Sequence, residues 1–240
     1  MEPYMPAKAY HRKLYQYVVE EIGQQIIRGQ YGIGDILPTE DRLSEEMQVS
    51  RGVLREAIQV LVQKGLVRTR PRIGSQILPR KNWNLFDPDV LVWRLRIEDK
   101  TTFLKDVTEV RRLIESEAAK QAARRATRIE TGHIKTVLDQ LQEMLNDQAG
   151  YEYNAYLSLD IRFHTMILEA SHNDLLAQIG RTIRDAVHQA RQIDTSDMSV
   201  QKESWPYHAA IWENIEKKDP EAAYKASQAM FDNIWQHIVK

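Results

Sequence analysis

The sequence predicts a mainly α-helical protein, with an N-terminal winged helix-turn-helix and a C-terminal all-α helical bundle. Three observations lead to this fold class. Two short segments with helical apolar spacing flank a tight turn near residue 48, and two strand-like runs follow around a turn that contains proline and glycine. From about residue 89 onward the apolar residues repeat only at helical spacing. We therefore expect one domain over 10–79, a linker over 80–99 and a helical domain over 100–238.

The composition restricts the classes of protein. The 240 residues carry 33 Lys and Arg against 34 Asp and Glu, so the net charge of -1 indicates no partner by itself. Cysteine is absent, which excludes disulfide frameworks and thiol catalysis. No apolar stretch approaches the roughly 20 residues needed to span a bilayer, and the first residues lack the apolar core of a signal peptide. The sequence thus predicts a cytoplasmic protein without membrane contact.

The first three helices follow from spacing and capping. Apolar residues over 14–27 recur at helical spacing. Thr39 precedes a short second segment, and Ser50 is a favourable N-cap for a third segment that ends near Gly65. The interval of about three residues between the second and third helices is typical of a helix-turn-helix.

The third helix carries two arginines on its solvent side. Arg51 and Arg55 lie one helical turn apart, and Gln59 continues the same side. Such a face fits the major groove of DNA, where arginine binds guanine O6 and N7 or contacts a phosphate. The spacing leaves both roles open for each arginine, and two helix arginines taken alone are more often a solvated surface.

A β-hairpin, or wing, is predicted next, with strands over 66–70 and 75–78. Residues 57–86 contain six basic residues and no Asp or Glu. The six are Lys64, Arg68, Arg70, Arg72, Arg80 and Lys81. A basic hairpin beside a basic helix indicates an electrostatic contact with nucleic acid.

The motifs over about residues 12–79 resemble the signature of the GntR family of transcription regulators. They are Gly34-Asp35-Ile36-Leu37-Pro38-Thr39-Glu40, Val49-Ser50-Arg51, Val53-Leu54-Arg55-Glu56-Ala57 and Gly65-Leu66-Val67. The resemblance implies a dimer that binds a palindromic operator in double-stranded DNA, with Arg51 and Arg55 in contact and Gly74 at the wing tip. Many members have arginine where this chain has Asp41. The predicted DNA contacts are Arg42, Ser50, Arg51, Arg55, Gln59, Arg70, Arg72 and Gly74.

A polar pair marks the helical half. Asp160 and His164 are four residues apart and point the same way from one helix, which suits two ligands of one metal or of one polar molecule. A local surface hydrogen bond is the commoner outcome of this spacing. Three segments, over 109–115, 160–164 and 208–219, resemble the FCD effector domain of the FadR subfamily.

The FCD resemblance implies that His208 joins Asp160 and His164 beneath the effector, often around a divalent metal such as zinc. The usual fourth ligand falls on Met230, whose thioether is a poor ligand for hard divalent ions. Two alternatives stay open. One is a three-ligand metal site completed by the carboxylate of the effector, and the other is a metal-free pocket in which the three side chains bind effector hydroxyls directly.

Arg111 bears on the chemical class of the effector. It aligns with an arginine that faces the ligand in many FCD proteins, and a guanidinium can fix a carboxylate with two hydrogen bonds. A helix-surface salt bridge to Glu115, one turn later, is the alternative. The predicted effector is therefore a small organic acid. Residues 80–93 also resemble the linker of galactonate-type regulators, which indicates an aldonate or a related hexose acid.

Together these features predict a homodimeric, metabolite-responsive repressor of sugar-acid catabolic genes, and not an enzyme. A metal-dependent hydrolase fused to a DNA-binding module would need a general base such as the glutamate of a His-Glu-x-x-His helix, and the sequence contains no such motif. A ligand-independent DNA-binding protein would bind without sequence preference. Selective binding that a metabolite releases separates the three hypotheses.

Overall fold

The computed structural model describes residues 7–147, 150–191 and 198–239. Within these ranges the protein has ten α-helices and one two-stranded sheet, which confirms the predicted fold class. The chain divides into two compact units, and the boundary falls between Glu98 and Asp99. None of the helices in the described ranges is both long and apolar enough to cross a membrane.

The first unit is built around the packing of its first helix on its third. Val18, Ile22, Leu54 and Leu61 are almost completely buried in the core that these helices share. The elements are α1 (Ala7–Ile27), α2 (Glu40–Glu46), α3 (Arg51–Gln63), β1 (Val67–Arg70), β2 (Gly74–Ile77), one 3-10 turn (Arg80–Asn82) and α4 (Pro88–Ile97).

The helix-turn-helix is formed by α2 and α3. The side chain of Thr39 accepts a hydrogen bond from the N–H of Arg42 and so caps α2. Ser50 Oγ accepts from the N–H of Val53 and caps α3 in the same way. Between the caps Gln48 has φ 54°, in the left-handed region, which reverses the chain within a few residues.

The wing is an antiparallel pair in which Val67 lies opposite Ile77 and Arg70 lies opposite Gly74. Gly74 has φ 106°, and a Cβ built there would lie 3.1 Å from Ile36 Cγ2. Backbone conformation and space therefore both favour glycine at this position. The turn leaves Arg72 exposed at the end of the hairpin.

The segment predicted as a linker contains a buried helix. Asp87 caps α4 by accepting hydrogen bonds from two backbone N–H groups, and Pro88 occupies the first turn. Val90 and Trp93 belong to the same core as α1 and α3. A Cβ on Gly23 would lie 2.3 Å from the Trp93 ring, so glycine in α1 makes room for the indole. Six consecutive residues of α4 are buried, so the middle of this helix has no polar side facing the solvent.

The second unit is a bundle of six helices within the described residues, as the sequence predicts. Alanines on the first of these helices, including Ala119 and Ala122, are fully buried and pack in one core with Phe163, Ile211 and Phe231. Residues 192–197 lie outside the described ranges, and the next helix begins at residue 198. The helices are α5 (Lys100–Arg125), α6 (Arg128–Asn146), α7 (Tyr153–Ala170), α8 (Asp174–Arg191), α9 (Met198–Glu216) and α10 (Pro220–Val239).

Candidate functional site

The eight residues predicted to contact DNA are all exposed on the first unit. We call them the reading face. Ser50 and three side chains of α3 form one part of it, Arg42 lies on α2, and the remaining three lie on the wing. The burial of Val53, Leu54 and Ala57 on the opposite side of α3 fixes which side chains face outward.

Carboxylates at the start of α2 pair with two arginines of the reading face. Arg51 Nε lies 2.9 Å from Asp41 Oδ1, and Arg55 Nε donates to Glu40 Oε2 at 2.7 Å. The two arginine side chains remain 65% and 66% exposed. Arg42 Nε makes a similar pair with Glu46 within α2, at 2.7 Å. The sequence did not predict these ion pairs. Asp41 and Arg51 are 10 residues apart and Glu40 and Arg55 are 15 apart, and no helical period relates residues of two different helices.

Two members of the predicted basic surface are not free cations. Lys64 is only 7% exposed, and its Nζ lies 2.7 Å from carboxylate oxygens of both Asp87 and Asp89. Burial lowers the pKa of Lys64, but the two carboxylates outweigh this effect and leave the pKa raised. Arg80 pairs with Glu98 at 3.2 Å. The prediction was wrong for Lys64. Asp87 and Asp89 follow the acid-free stretch 57–86 in the sequence, but in the fold they lie beside Lys64.

A cavity of about 400 Å³ opens in the second unit. Arg111, Asp160, His164 and His208, the four predicted effector-binding residues, all line it, and so does Met230. They come from α5, α7, α9 and α10. The remaining polar lining is Lys100, Thr101, Thr108, Tyr153, Tyr156, Gln201, Ser204, Asn233 and His237.

Three side chains converge at one point of this cavity. His208 Nε2 lies 2.9 Å from Asp160 Oδ1 and 3.1 Å from His164 Nε2, while His164 Nε2 lies 3.7 Å from Asp160 Oδ1. Both imidazoles are at most 5% exposed. The predicted set of Asp160, His164 and His208 is thus brought together, and its three donor atoms can reach one ion.

The other nitrogen of each histidine has its own acceptor. His164 Nδ1 lies 3.1 Å from Glu115 Oε2, and His208 Nδ1 lies 2.9 Å from the carbonyl oxygen of Ser204. If each Nδ1 carries the proton and donates it to that acceptor, both Nε2 lone pairs point at each other and at Asp160. Two lone pairs and a carboxylate repel one another unless a proton or a metal cation lies between them.

The ligand distances fit a metal. Around zinc, with bonds of about 2.0–2.1 Å, tetrahedral ligand atoms lie about 3.3 Å apart, and the three observed distances bracket this value. Carboxylate and carbonyl acceptors behind the histidines are the outer partners that metal-bound histidines usually have. Burial, followed by the charge of Arg184, lowers the pKa of His164 to about 4, so this imidazole is neutral at pH 7, as a metal ligand must be.

Glu115 and Arg184 complete a buried charge network, of which the sequence offered only the pair of Arg111 with Glu115. Glu115 Oε1 accepts from Arg111 Nε at 2.8 Å, and Glu115 Oε2 accepts from Arg184 Nη2 at 2.8 Å. Arg184 Nη1 lies 3.6 Å from Asp160 Oδ2. Burial raises the pKa of Glu115, but Arg111 and Arg184 outweigh it and hold the pKa well below its ordinary value. Glu115 therefore stays ionised and links the arginines to His164.

Both alternatives considered for Arg111 describe part of its environment. Its Nε is engaged by Glu115 one turn later, yet the side chain also lines the cavity. The pair is buried and not on the surface, since Arg111 is 5% and Glu115 is 4% exposed. The guanidinium also lies 5.2 Å from the centre of the Phe231 ring, a distance typical of a cation–π contact.

Comparison with known proteins gives matches over both units. Residues 14–77 match the family described as bacterial regulatory proteins, gntR family, and residues 106–233 match the FCD domain. The chain is 31% identical over 222 residues to the HTH-type transcriptional regulator YieP of Escherichia coli strain K12, covering 92% of this chain and 94% of the relative. It is also 31% identical to the galactonate operon transcriptional repressor of that strain, over 89% of this chain and 91% of the relative.

A solved structure shows a similar fold. It is that of Lar, described as controlling expression of the Listeria monocytogenes agr system; the TM-score is 0.62, with 17% identity and coverage of 99% of each chain. At this identity the likeness concerns the fold alone.

Proposed function

The chain belongs to the GntR family of bacterial regulatory proteins, and from this premise we propose that it is a metabolite-responsive repressor whose operator is released when a small organic acid binds in the FCD domain. As a member of this family it is a transcription regulator and not an enzyme. The observation that carries the proposal is the cavity of the second unit, which Arg111, Asp160, His164 and His208 all line.

The DNA-binding part of the proposal uses the reading face. The α3 helix enters the major groove with Arg51, Arg55 and Gln59 toward base edges, and its capped N-terminus at Ser50 approaches a phosphate. Arg42, Arg70 and Arg72 contact the backbone, and Gly74 lets the wing tip come close. Two copies of α3 in a homodimer would lie about one DNA turn, roughly 34–36 Å, apart on a palindrome. Such a regulator works on chromosomal DNA in the cytoplasm.

Replacing Arg55 by alanine tests whether this side chain reads a base. We expect operator affinity to fall by about 1–3 kcal/mol and discrimination to relax at one base pair of the operator. Binding measured on a set of single-base operator variants checks this result. A loss that is equal on every sequence would instead assign Arg55 to a phosphate contact.

We further propose that Asp160, His164 and His208 hold a divalent metal such as zinc, for which the acceptors behind both histidines are the main support. When bound, the metal would supply positive charge that attracts oxygen atoms of the effector. Met230 lines the same cavity without adding a hard ligand, so the remaining coordination positions are left for the effector and water. Glu115 and Ser204 orient the imidazoles.

An aldonate or a related hexose acid is the proposed effector. The cavity volume of about 400 Å³ lies within the range of roughly 300–1,000 Å³ that is common for small-molecule sites. Arg111 supplies donors for a carboxylate, and the hydroxyl and amide groups of Thr108, Ser204 and Asn233 can bind sugar hydroxyls. The relative that represses a galactonate operon supports the same class of ligand.

Effector binding would act by shifting a population of dimer conformers toward one in which the two reading faces no longer match the operator. A panel of small acids tests this proposal on the protein–operator complex. Aldonates should release the DNA at lower concentrations than matched alditols, which lack the carboxylate. Preferential release by a fatty acyl-CoA, over every sugar acid, would overturn the proposed effector class.

A further inference from the structure

We propose that Glu40 and Asp41 determine the DNA specificity of the reading face by restraining Arg55 and Arg51. Each carboxylate holds one guanidinium, so that the arginine discriminates between base pairs and is less available to any phosphate. The inference rests on the proposed DNA-binding function, and it assigns a role to two acidic residues that are themselves unsuited to bind DNA.

The two acids are well placed to act as fixed anchors. Both lie in the first turn of α2, directly after the N-cap Thr39, where the helix dipole favours negative charge. The α2 helix is fixed in the core by Leu43, which is 4% exposed. Each ion pair therefore joins two different helices, the anchored α2 and the exposed side of α3. It differs in this from a pair between two mobile side chains of a single helix.

The hydrogen-bond geometry limits what each arginine can offer to DNA. A guanidinium carries five N–H donors in a rigid planar fork. In the Arg55 pair the Nε–H donates to Glu40 Oε2 at 2.7 Å, and in the Arg51 pair Nε is the guanidinium nitrogen close to the carboxylate, 2.9 Å from Asp41 Oδ1. The donors that remain for a base lie on the Nη atoms, and two parallel donors are what guanine O6 and N7 accept.

The charges of the reading face divide in a way that fits this role. The arginines of α2 and α3 each have a carboxylate partner, whereas Arg70 and Arg72 of the wing form no ion pair with the part of the chain that the structure describes. A paired arginine brings little net charge to the DNA backbone, because its partner offsets it. Attraction to DNA of any sequence would thus come mainly from the wing, and discrimination from α3.

The test uses Glu40→Gln, Asp41→Asn and the double variant in the full-length protein. Affinities are measured for an operator fragment, selected beforehand from genomic DNA, and for a scrambled fragment of equal length, at two salt concentrations. In the double variant we expect binding to scrambled DNA to strengthen roughly three- to tenfold and the operator-to-scrambled ratio to fall at least about tenfold. The salt slope should steepen by about 1 for each released arginine that contacts a phosphate.

Glu45→Gln is the matched control. Glu45 is exposed on the same helix and makes no ion pair with α3 among the described residues. Its replacement therefore removes one negative charge, as each single variant does, without releasing an arginine. It should leave the ratio unchanged. Melting temperatures should change little in any variant, because the side chains involved are exposed. Arg55→Lys, which keeps the charge but loses the fork, should lower the ratio as Glu40→Gln does.

A ratio that stays within about twofold of wild type in the double variant would overturn the proposal, as would an equal fall in Glu45→Gln. If the wild-type protein selects no genomic fragment at all, the proposed function fails first. That result is distinct from selective binding that survives removal of both carboxylates.

Discussion

Glutamine in place of Glu115 should lower the free energy of unfolding of the C-terminal unit by about 3–5 kcal/mol. The substitution keeps the shape of the side chain but removes the carboxylate that accepts from both Arg111 and Arg184. Both arginines are at most 5% exposed, so neither can be compensated by water. Breaking a buried ion pair from one side is costly for this reason. Urea unfolding followed by helical circular dichroism measures the change.

Glu109→Gln is the control for this measurement. Glu109 lies on α5 as well, but it is exposed, so its replacement should change stability by less than about 0.5 kcal/mol. A loss below about 1 kcal/mol for Glu115→Gln would contradict the account, because it would mean that water or Asp160 compensates the two arginines.

Glutamine in place of His208 should abolish the effector response while leaving operator binding intact. We expect the acid concentration that releases half of the DNA to rise at least about 100-fold, since even outer-shell substitutions at metal sites cost 10–100-fold. Metal content, determined by mass spectrometry on the purified protein, should fall from about one ion per chain to far below one. The physical reason is that His208 Nε2 is close to both other members of the proposed ligand set.

His133→Gln provides the matched comparison. His133 is exposed on α6 and lies outside the cavity lining, so this variant should respond to the acid as wild type does. If His208→Gln releases DNA at the wild-type acid concentration, the cavity is not the effector site. If it responds poorly but the wild-type protein also carries no metal, the metal-free pocket is the better account of the same residues.

Local signals in the sequence were sufficient for most of the fold. Ser50 and Thr39 cap the helices that they were expected to cap, and the turn at Gln48 follows from their spacing. The wing was predicted to within one residue at each strand end. Residues 80–99 were assigned to a linker although α4 lies among them, because burial around most of this helix removes the polar side that marks an amphipathic helix.

The site residues divide in the same way. Asp160 and His164 are visible as a pair because helical spacing fixes their relation, and His208 required resemblance to a family. The sequence offered Glu115 only as a surface partner of Arg111, and its pairing with Arg184 could be found only in three dimensions, since 69 residues separate the two in the chain. Lys64 is an error in the opposite direction. The sequence analysis counted it in an exposed basic surface, but the structure buries it against Asp87.

Selection of genomic DNA fragments by the purified protein, at near-physiological salt and with or without a sugar acid, tests the central claim most directly. The account predicts enrichment of one short palindromic sequence beside genes of sugar-acid catabolism, and loss of that enrichment when the acid is added. Fragments no more enriched than random DNA, or enrichment that no acid affects, would contradict a regulator that a metabolite releases from its operator.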